Sequence, residues 1–179
     1  MNKDTQSPSE RNSPDHLETD FSGPMDDDRK SLASESVLIR SLQETDLADI
    51  ERIDKRITGS PRHNYLQQKV SEVINQSGIR ISLVAEKDGF IVGYIMARID
   101  YGEFGRTSSM AVIDTIGVDP RYAGENIGHS LMAQLEANLG YLRVDGIRTI
   151  VKWNDFDVLH FLEHSGFTPA QRLTLRCPI

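Results

Sequence analysis

A polar turn between a strand and a helix is the stretch of this sequence best suited to chemistry. Residues 110–118 are β-branched and apolar, as in a strand, and Pro120 ends that strand because it has no N–H to donate. A glycine-containing loop follows over residues 121–128, and the next helix has apolar residues four apart, at Ile127, Leu131, Leu135 and Leu139. Such a unit aims free backbone N–H groups and the positive end of a helix dipole at one point. The turn therefore predicts a phosphate-binding site.

Two carboxylates near this turn are candidates for moving a proton. Asp114 lies within the strand, and Glu103 lies in the glycine-bearing loop before it. Strand alternation places Asp114, Ile116 and Val118 on one face, so Asp114 is predicted to point at the site. Glu103 is the alternative base, with a water molecule as a relay.

Two histidines raise the question of a metal site. His160 and His164 are four residues apart on a predicted helix, and that spacing allows both to bind one ion. The sequence adds no third ligand in a zinc-protease arrangement, so we expect an exposed helix face and no metal.

The charge of the chain is concentrated at its beginning. The 179 residues carry a net charge of −7, and residues 1–36 hold 9 acidic and 4 basic residues, which leaves 18 and 16 for the rest. We expect residues 1–36, rich in Ser, Asp, Glu and Pro, to form a disordered acidic tail, and residues 37–179 to form one domain. This nearly neutral domain has no basic patch of the kind that binds nucleic acid.

The expected compartment follows from cysteine content and hydropathy. Cys177 is the single cysteine, which excludes an internal disulfide and fits a reducing environment. No apolar run reaches the roughly 18 residues of a membrane span, and the first residues have no apolar core of a signal peptide. The sequence predicts a cytoplasmic protein with no membrane partner.

Strands and helices are predicted in the order β-α-α-β-β-β-α-β-α-β. The predicted strands are residues 37–41, 79–86, 90–100, 110–118, 147–153 and 167–176. The predicted helices begin after Thr45 or Asp46, near Ser60-Pro61, after the polar turn and at Asn154-Asp155. Asp88-Gly89 is a strong hairpin signal. Trp153 is expected in the core.

The polar turn resembles the coenzyme A site of the GNAT superfamily of acyl-CoA-dependent N-acyltransferases. The resemblance is carried by Ile116-Gly117-Val118, Asp119-Pro120-Arg121-Tyr122 and the loop closing on Ile127-Gly128, with a second signature from Asn154 to Gly166-Phe167. With element order included, it covers roughly residues 37–176. The family pattern [Arg/Gln]-x-x-Gly-x-[Gly/Ala] has Ala123 at its first position and Asn126 at its middle glycine. Asparagine is the non-glycine residue that best tolerates a left-handed φ, so the main-chain cradle is expected to survive.

The resemblance implies a fold, a cofactor and its contacts. The fold is α/β (α+β), a GNAT fold whose central mixed, mostly antiparallel sheet has roughly six to seven strands and about four flanking helices, with splayed fourth and fifth strands. The implied cofactor is acetyl-CoA, and Arg121 would replace the side chain lost at Ala123. The residues implied in binding it are Ile116, Gly117, Val118, Arg121, Ala123, Gly124, Glu125, Asn126, Ile127, Gly128, His129, Ser130, Asn154 and Phe161.

The implied reaction is acetyl transfer to a primary amine by direct attack in a ternary complex. Backbone N–H groups of residues 116–118 would bind the developing oxyanion, and Asp114 or Glu103 would be the base. Many family members carry a tyrosine that acts as general acid at the position of Leu162, and leucine cannot donate a proton. Tyr122, Tyr101 or Tyr94 is then the acid, or the thiolate leaves unassisted.

The acceptor and the oligomeric state stay open at this point. The amine belongs to a small molecule, a lysine side chain or a protein N-terminus, and the chain is a monomer or a homodimer. The predicted acceptor contacts are Arg56, Arg62, His63 and Tyr65. The alternative function is a catalytically degenerate GNAT domain that serves as an acyl-CoA-binding sensor or interaction module. A dinucleotide-binding domain is disfavoured because the loop has no Gly-x-Gly-x-x-Gly.

Overall fold

The computed structural model describes residues 37–76, 79, 81–101, 108–171 and 177 of the chain. The predicted acidic tail, Glu103 and residues 172–176 of the predicted last strand lie outside the described residues. Within the described part, no helix has both the length and the apolar character needed to span a membrane.

The described strands form one mixed sheet, and strands that are neighbours in the sheet are also consecutive in the chain. They are β1 (Val37–Ser41), β2 (Leu83–Lys87), β3 (Phe90–Asp100), β4 (Met110–Val118) and β5 (Gly146–Thr149). β1 to β4 are antiparallel neighbours, whereas β5 runs parallel to β4. The predicted fold class is confirmed, with five strands in the described residues instead of six to seven.

Helices cover both faces of the sheet. Those in the described residues are α1 (Leu47–Thr58), α2 (His63–Ser71), α3 (Ile127–Tyr141) and α4 (Phe156–His164). α1 ends at Gly59, whose left-handed φ of 76° lets its N–H donate to the Lys55 carbonyl at 2.9 Å. α2 begins at His63, two residues after the predicted proline start. The helix count confirms the expected four.

β3 separates two hydrophobic clusters, because its successive side chains point to opposite faces. Tyr94 and Met96 join one cluster, which α1 and α2 supply with Ile50, Ile53, Leu66 and Val70. Ile95 and Ala97 join the other, which α3 and α4 supply with Leu131, Leu135 and Leu162. β4, next to β3, is therefore held between helices on both faces.

Two local predictions had different outcomes. Asp88 and Gly89 have φ values of 52° and 79°, so the expected two-residue hairpin turn joins β2 and β3. The predicted strand 147–153 is wrong in its second half, because pairing with β4 ends at Thr149. Trp153, expected in the core, is 83% exposed in the turn that follows.

Candidate active site

β4 parts from β5 halfway along its length. The two strands pair from Met110 opposite Gly146 to Ile113 opposite Thr149. Beyond Ile113, no described strand pairs with that edge of β4. The predicted splay of the fourth and fifth strands is confirmed, and it leaves the backbone groups of Ile116 and Val118 on the free edge of β4, facing an open wedge.

A β-bulge at Asp114 marks the start of the wedge. On β3, Met96 lies opposite Thr115 and Ala97 lies opposite Ile113, so Asp114 is the extra residue of β4. The predicted shared face is wrong for this reason. Ile116 and Val118 pack on the α3 side with Ile113, whereas the Asp114 carboxylate contacts Lys69 of α2.

The Asp114 carboxylate is paired with two cations. The Arg98 guanidinium donates to it, and the Lys69 Nζ lies 3.6 Å away. The hydrogen bond of Lys69 to Glu72, together with the nearby Asp114 charge, raises the pKa of Lys69 despite some desolvation, so this amine stays charged. Asp114 therefore lies where the wedge begins, with its carboxylate on the α2 side between two cations.

The loop after β4 has the backbone geometry expected of an anion cradle. Gly124 and Asn126 take left-handed φ values of 85° and 58°. Asn126 thus adopts the conformation expected at the family's middle glycine. The hydrogen-bond ladder of α3 begins with the Ser130 N–H donating to the Asn126 carbonyl at 2.9 Å. The N–H groups of the preceding turn, from Ile127 to His129, have no helical carbonyl to bind.

α4 packs against the first turn of α3 at a glycine. A Cβ built on Gly128 would lie 3.1 Å from the Phe161 ring, and the His129 ring meets Phe161 edge-on at 5.2 Å. The absence of a side chain at Gly128 therefore lets the two helices approach closely. Asn154 lies in the exposed turn before α4, and Ala123 is exposed in the loop. Glu125 is paired with Lys87 at 2.5 Å, which offsets an acidic charge beside the cradle.

A buried carboxylate at the end of β4 gathers three arginines. Asp119 is fully buried, and its Oδ2 accepts from Arg52 at 3.0 Å, Arg56 at 2.5 Å and Arg121 at 2.9 Å. Its Oδ1 accepts from the Arg121 backbone N–H at 3.1 Å. Burial alone would raise the pKa of Asp119, but the Arg121 hydrogen bonds and the charges of Arg56 and Arg121 lower it to about 2.

Sequence reasoning missed this cluster. It expected Arg56 at the acceptor and Arg121 at the phosphate, and both are bound to Asp119. A signal was present, because Arg52 and Arg56 are four apart on one face of α1. The acid that they share is more than sixty residues away, so only the fold brings it to them.

The other acceptor candidates join α1 to α2. Arg62 donates to the buried Asp54 carboxylate and lies over the Tyr65 ring, 5.0 Å from its centroid. His63 Nδ1 lies 2.5 Å from the Glu51 carboxylate.

The candidate acids are dispersed. Tyr122 lies past the end of β4 with Lys87 Nζ 5.7 Å from its ring centroid, and four residues of strand, about 13 Å, separate Asp114 from Val118. Tyr101 is exposed at the end of β3. Tyr94 is buried and donates to Asp54 at 3.2 Å, and its pKa is raised, chiefly by burial.

α4 carries the family's tyrosine position and the two histidines that were considered as metal ligands. Leu162, at the family's tyrosine position, is 6% exposed within the α3-side cluster. His160 and His164 are exposed as expected. Glu163 lies beside them, and the ligand atoms of the three residues are within 4.8 Å of one another.

Comparison with known proteins agrees with this geometry. A sequence model of the acetyltransferase (GNAT) family matches residues 45–167. The uncharacterized N-acetyltransferase ycf52 of Gracilaria tenuistipitata var. liui is 33% identical over 102 residues, which are 56% of this chain and 51% of that protein. The chain thus spans about half the length of this curated relative.

Solved structures share the fold. A transcriptional regulator from Bacillus halodurans C-125 has a TM-score of 0.68 and 19% identity, over 80% of this chain and 99% of that chain. The aminoglycoside N-acetyltransferase AAC(6')-Iy, in complex with the bisubstrate analog CoA-S-monomethyl-acetylneamine, has a TM-score of 0.65 and 18% identity, over 80% of this chain and 98% of that chain. Since the family model spans more than half of the sequence, this chain belongs to the acetyltransferase (GNAT) family.

Proposed function

We propose that the chain transfers an acetyl group from acetyl-CoA to a primary amine by direct attack in a ternary complex. The observation that carries the proposal is that β4 borders a wedge along its second half and leads directly into the anion cradle. β4 leaves β5 after Ile113, and the loop to Gly128 follows the end of β4. Acetyl-CoA carries its thioester and its pyrophosphate at the two ends of an extended arm, so one strand can hold both.

The cradle suits a pyrophosphate by its backbone. Asn126 and Gly124 supply the left-handed turns, and Ile127, Gly128 and His129 supply first-turn N–H groups at the positive end of the α3 dipole. Ser130 and Phe161 border the same turn. Because these donors belong to the main chain, the loss of a side chain at Ala123 leaves them in place.

The chemistry needs an amine nitrogen to attack the thioester carbonyl. A C–N bond forms, the C–S bond breaks, and the backbone N–H of Ile116 or Val118 binds the carbonyl oxygen, because the N–H groups of Gly117 and Asp119 point to β3. The amine proton passes to Asp114 or to Glu103. The departing thiolate takes its proton from water, because Leu162 has none to give and Tyr122 lies at the loop end.

The proposed acceptor is a primary amine of a small molecule, a lysine side chain or a protein N-terminus. A neighbour in fold is an aminoglycoside N-acetyltransferase, which supports transfer to an amine. The ion-paired Arg62 and His63 between α1 and α2 are the side chains through which acceptor choice can be probed.

Calorimetric titration of the purified chain with acetyl-CoA tests the cofactor. We expect saturable binding that Asn126→Asp weakens at least about tenfold, because it sets a carboxylate against a phosphate. Asn138→Asp is the matched control, since it makes the same change near the other end of α3. An acid at the helix N-terminus does not harm the helix itself, so weaker binding would not reflect unfolding.

Absence of binding at millimolar acetyl-CoA, or equal binding by the two variants, would overturn the proposal. If binding holds, thiol release on a panel of amines measures turnover. Asp114→Asn and Glu103→Gln then identify the base, whose loss should slow transfer about a hundredfold or more.

One observation favours the second candidate, an acyl-CoA-binding domain without turnover. The position of the family's acidic tyrosine holds a core leucine, Leu162. Tight acetyl-CoA binding with no thiol release on any amine would support that function over acetyl transfer.

A further inference from the structure

The last turn of α4 brings together three side chains that can bind a metal ion. His160, Glu163 and His164 occupy positions i, i+3 and i+4, so both later residues are neighbours of the first on one side of the helix. Their ligand atoms, two imidazole nitrogens and a carboxylate oxygen, lie within 4.8 Å of one another. All three residues are exposed, so an ion can reach them from solvent and small side-chain rotations can close the site. We call these residues the α4 cluster.

A hydrogen bond to the backbone prepares His164 as a metal ligand. Its Nδ1 lies 2.9 Å from the His160 carbonyl oxygen, and because a carbonyl can only accept, Nδ1 carries the proton. In the neutral ring, Nε2 then keeps a free lone pair. Histidines that bind metals usually donate their other ring nitrogen in this way, which fixes the tautomer and the ring. Nε2 of His164 is therefore the atom available to an ion.

The two imidazole rings of the α4 cluster already lie side by side. The centroids of His160 and His164 are 4.2 Å apart, at an interplanar angle of 57°. Two ring nitrogens that bind one tetrahedral Zn²⁺ ion at about 2.0–2.1 Å are roughly 3–4 Å from each other. Small rotations of exposed side chains are enough to reach that spacing, so the backbone of α4 does not have to move.

The position of the glutamate distinguishes this turn from a zinc-protease helix. There the glutamate directly follows the first histidine, and residues one apart do not face each other on a helix. Glu163 instead lies three residues after His160 and therefore on the side of the helix where the two histidines are. The missing zinc-protease pattern thus does not exclude a metal, because a third ligand is present in the same turn.

The charge around the α4 cluster favours a cation. The cluster forms the C-terminal turn of α4, at the negative end of the helix dipole. α4 contains two acids, Asp157 and Glu163, and its sequence has no lysine or arginine. Asp157 is exposed and lies three residues before His160. The helix end and both carboxylates would therefore attract a divalent ion.

The donor atoms select the class of ion. Imidazole suits Zn²⁺ and other transition metal ions, whereas Mg²⁺ and Ca²⁺ are bound by oxygen atoms. Two histidines and a glutamate are the ligand set of one class of zinc enzymes, and three protein ligands leave a fourth position of the tetrahedron to water.

We propose that the α4 cluster binds one Zn²⁺ ion through His160, Glu163 and His164. Since the three ligands belong to one helical turn, the ion holds that turn together and stabilises α4. The proposal is independent of acetyl transfer, because none of the three residues contributes to the wedge or to the anion cradle.

Calorimetric titration of the full chain with zinc chloride tests the site. Wild type should bind one Zn²⁺ ion per chain, and His160→Ala, His164→Ala and Glu163→Gln should each weaken binding about tenfold or more. Magnesium chloride at the same concentrations should give no binding heat. His63→Ala is the matched control and should keep wild-type affinity, because His63 is an exposed histidine beside a single glutamate, Glu51.

Two calorimetric results would overturn the proposal. Equal Zn²⁺ affinity of wild type, His160→Ala and His164→Ala would show an adventitious ion elsewhere on the chain. Unchanged affinity in Glu163→Gln would reduce the site to a histidine pair and contradict the three-ligand assignment.

Thermal unfolding gives a readout that separates lost ligands from lost structure. Without Zn²⁺, the melting temperatures of wild type and His164→Ala should agree within about 2 °C, because the substituted side chain is exposed. Zn²⁺ at about a hundred times its Kd should raise the Tm of wild type by about 5 °C or more and that of His164→Ala by less than about 1 °C. A wild-type Tm that does not respond to Zn²⁺ would overturn the proposal, since an ion that binds the folded helix must stabilise it.

Discussion

Replacing Asp119 with asparagine removes the charge that three arginines share while keeping the size of the side chain. The pKa of Asp119 falls from 3.8 to about 2 in the folded chain. At 1.36 kcal/mol per unit, this shift stabilises the folded state by about 2.5 kcal/mol when the group is ionised. We therefore expect Asp119→Asn to lower the free energy of unfolding by about 2–3 kcal/mol at pH 7, a loss of roughly 5–10 °C in Tm.

The stability lost in Asp119→Asn should decrease as the pH falls. Because the folded pKa is depressed, the stabilisation is complete above the unfolded pKa of 3.8 and disappears as the pH falls through 2. The difference in unfolding free energy between wild type and Asp119→Asn should fall to about half by pH 3. Contributions of other groups are the same in both proteins and cancel. Urea unfolding at pH 7, 4 and 3 measures it, with salt expected to reduce it because the arginines are partly exposed.

Asp100→Asn provides a matched comparison for this variant. Asp100 is a partly exposed acid whose carboxylate pairs with Arg148, and such pairs contribute about 0–1 kcal/mol. A loss below about 0.5 kcal/mol for Asp119→Asn, or a difference that does not change between pH 7 and 3, would show that the arginine cluster does not stabilise the fold.

Three further substitutions test the loop and α4. A Cβ at Gly128 would lie 3.1 Å from Phe161, so Phe161→Leu should make Gly128→Ala more favourable by about 0.5 kcal/mol or more in urea unfolding; additive effects would contradict the contact. Asn126→Val should cost about 1–2 kcal/mol at a φ of 58°, whereas Asn126→Gly should not destabilise; equal stability would refute the left-handed turn. Leu162→Tyr should cost about 1–3 kcal/mol in a thermal melt because the site is only 6% exposed, and an unchanged Tm would show that the core has room.

Local sequence chemistry accounts for the elements that were predicted well. The Asp88-Gly89 turn and the left-handed Asn126 depend on residues within a few positions, so their types sufficed. The order of strands and helices followed from periodicity for the same reason. Pro120 correctly placed the end of β4.

Features that depend on distant partners were missed. The bulge at Asp114 arises from pairing with β3, and no glycine marks it, so alternation assigned the wrong face. Asp119 was not singled out because its arginines come from another element. Tyr122 looked like an acid in the sequence, and the length of β4 takes it away from Asp114. Prediction of the site residues therefore requires the register of the sheet, which the sequence pattern does not contain.

The strand order of the sheet also gives the domain a direction of folding. A two-residue turn joins β2 to β3, so this pair closes a very short loop, whereas Ser41 pairs with Leu83 across all of α1 and α2. Closing the longer loop costs more entropy and takes more time. We expect pulsed hydrogen exchange to protect β2 and β3 first and β1 late, with simultaneous protection contradicting this order. α1 would then dock onto a sheet that already contains β4, and Arg52 and Arg56 would reach Asp119 only in that late step.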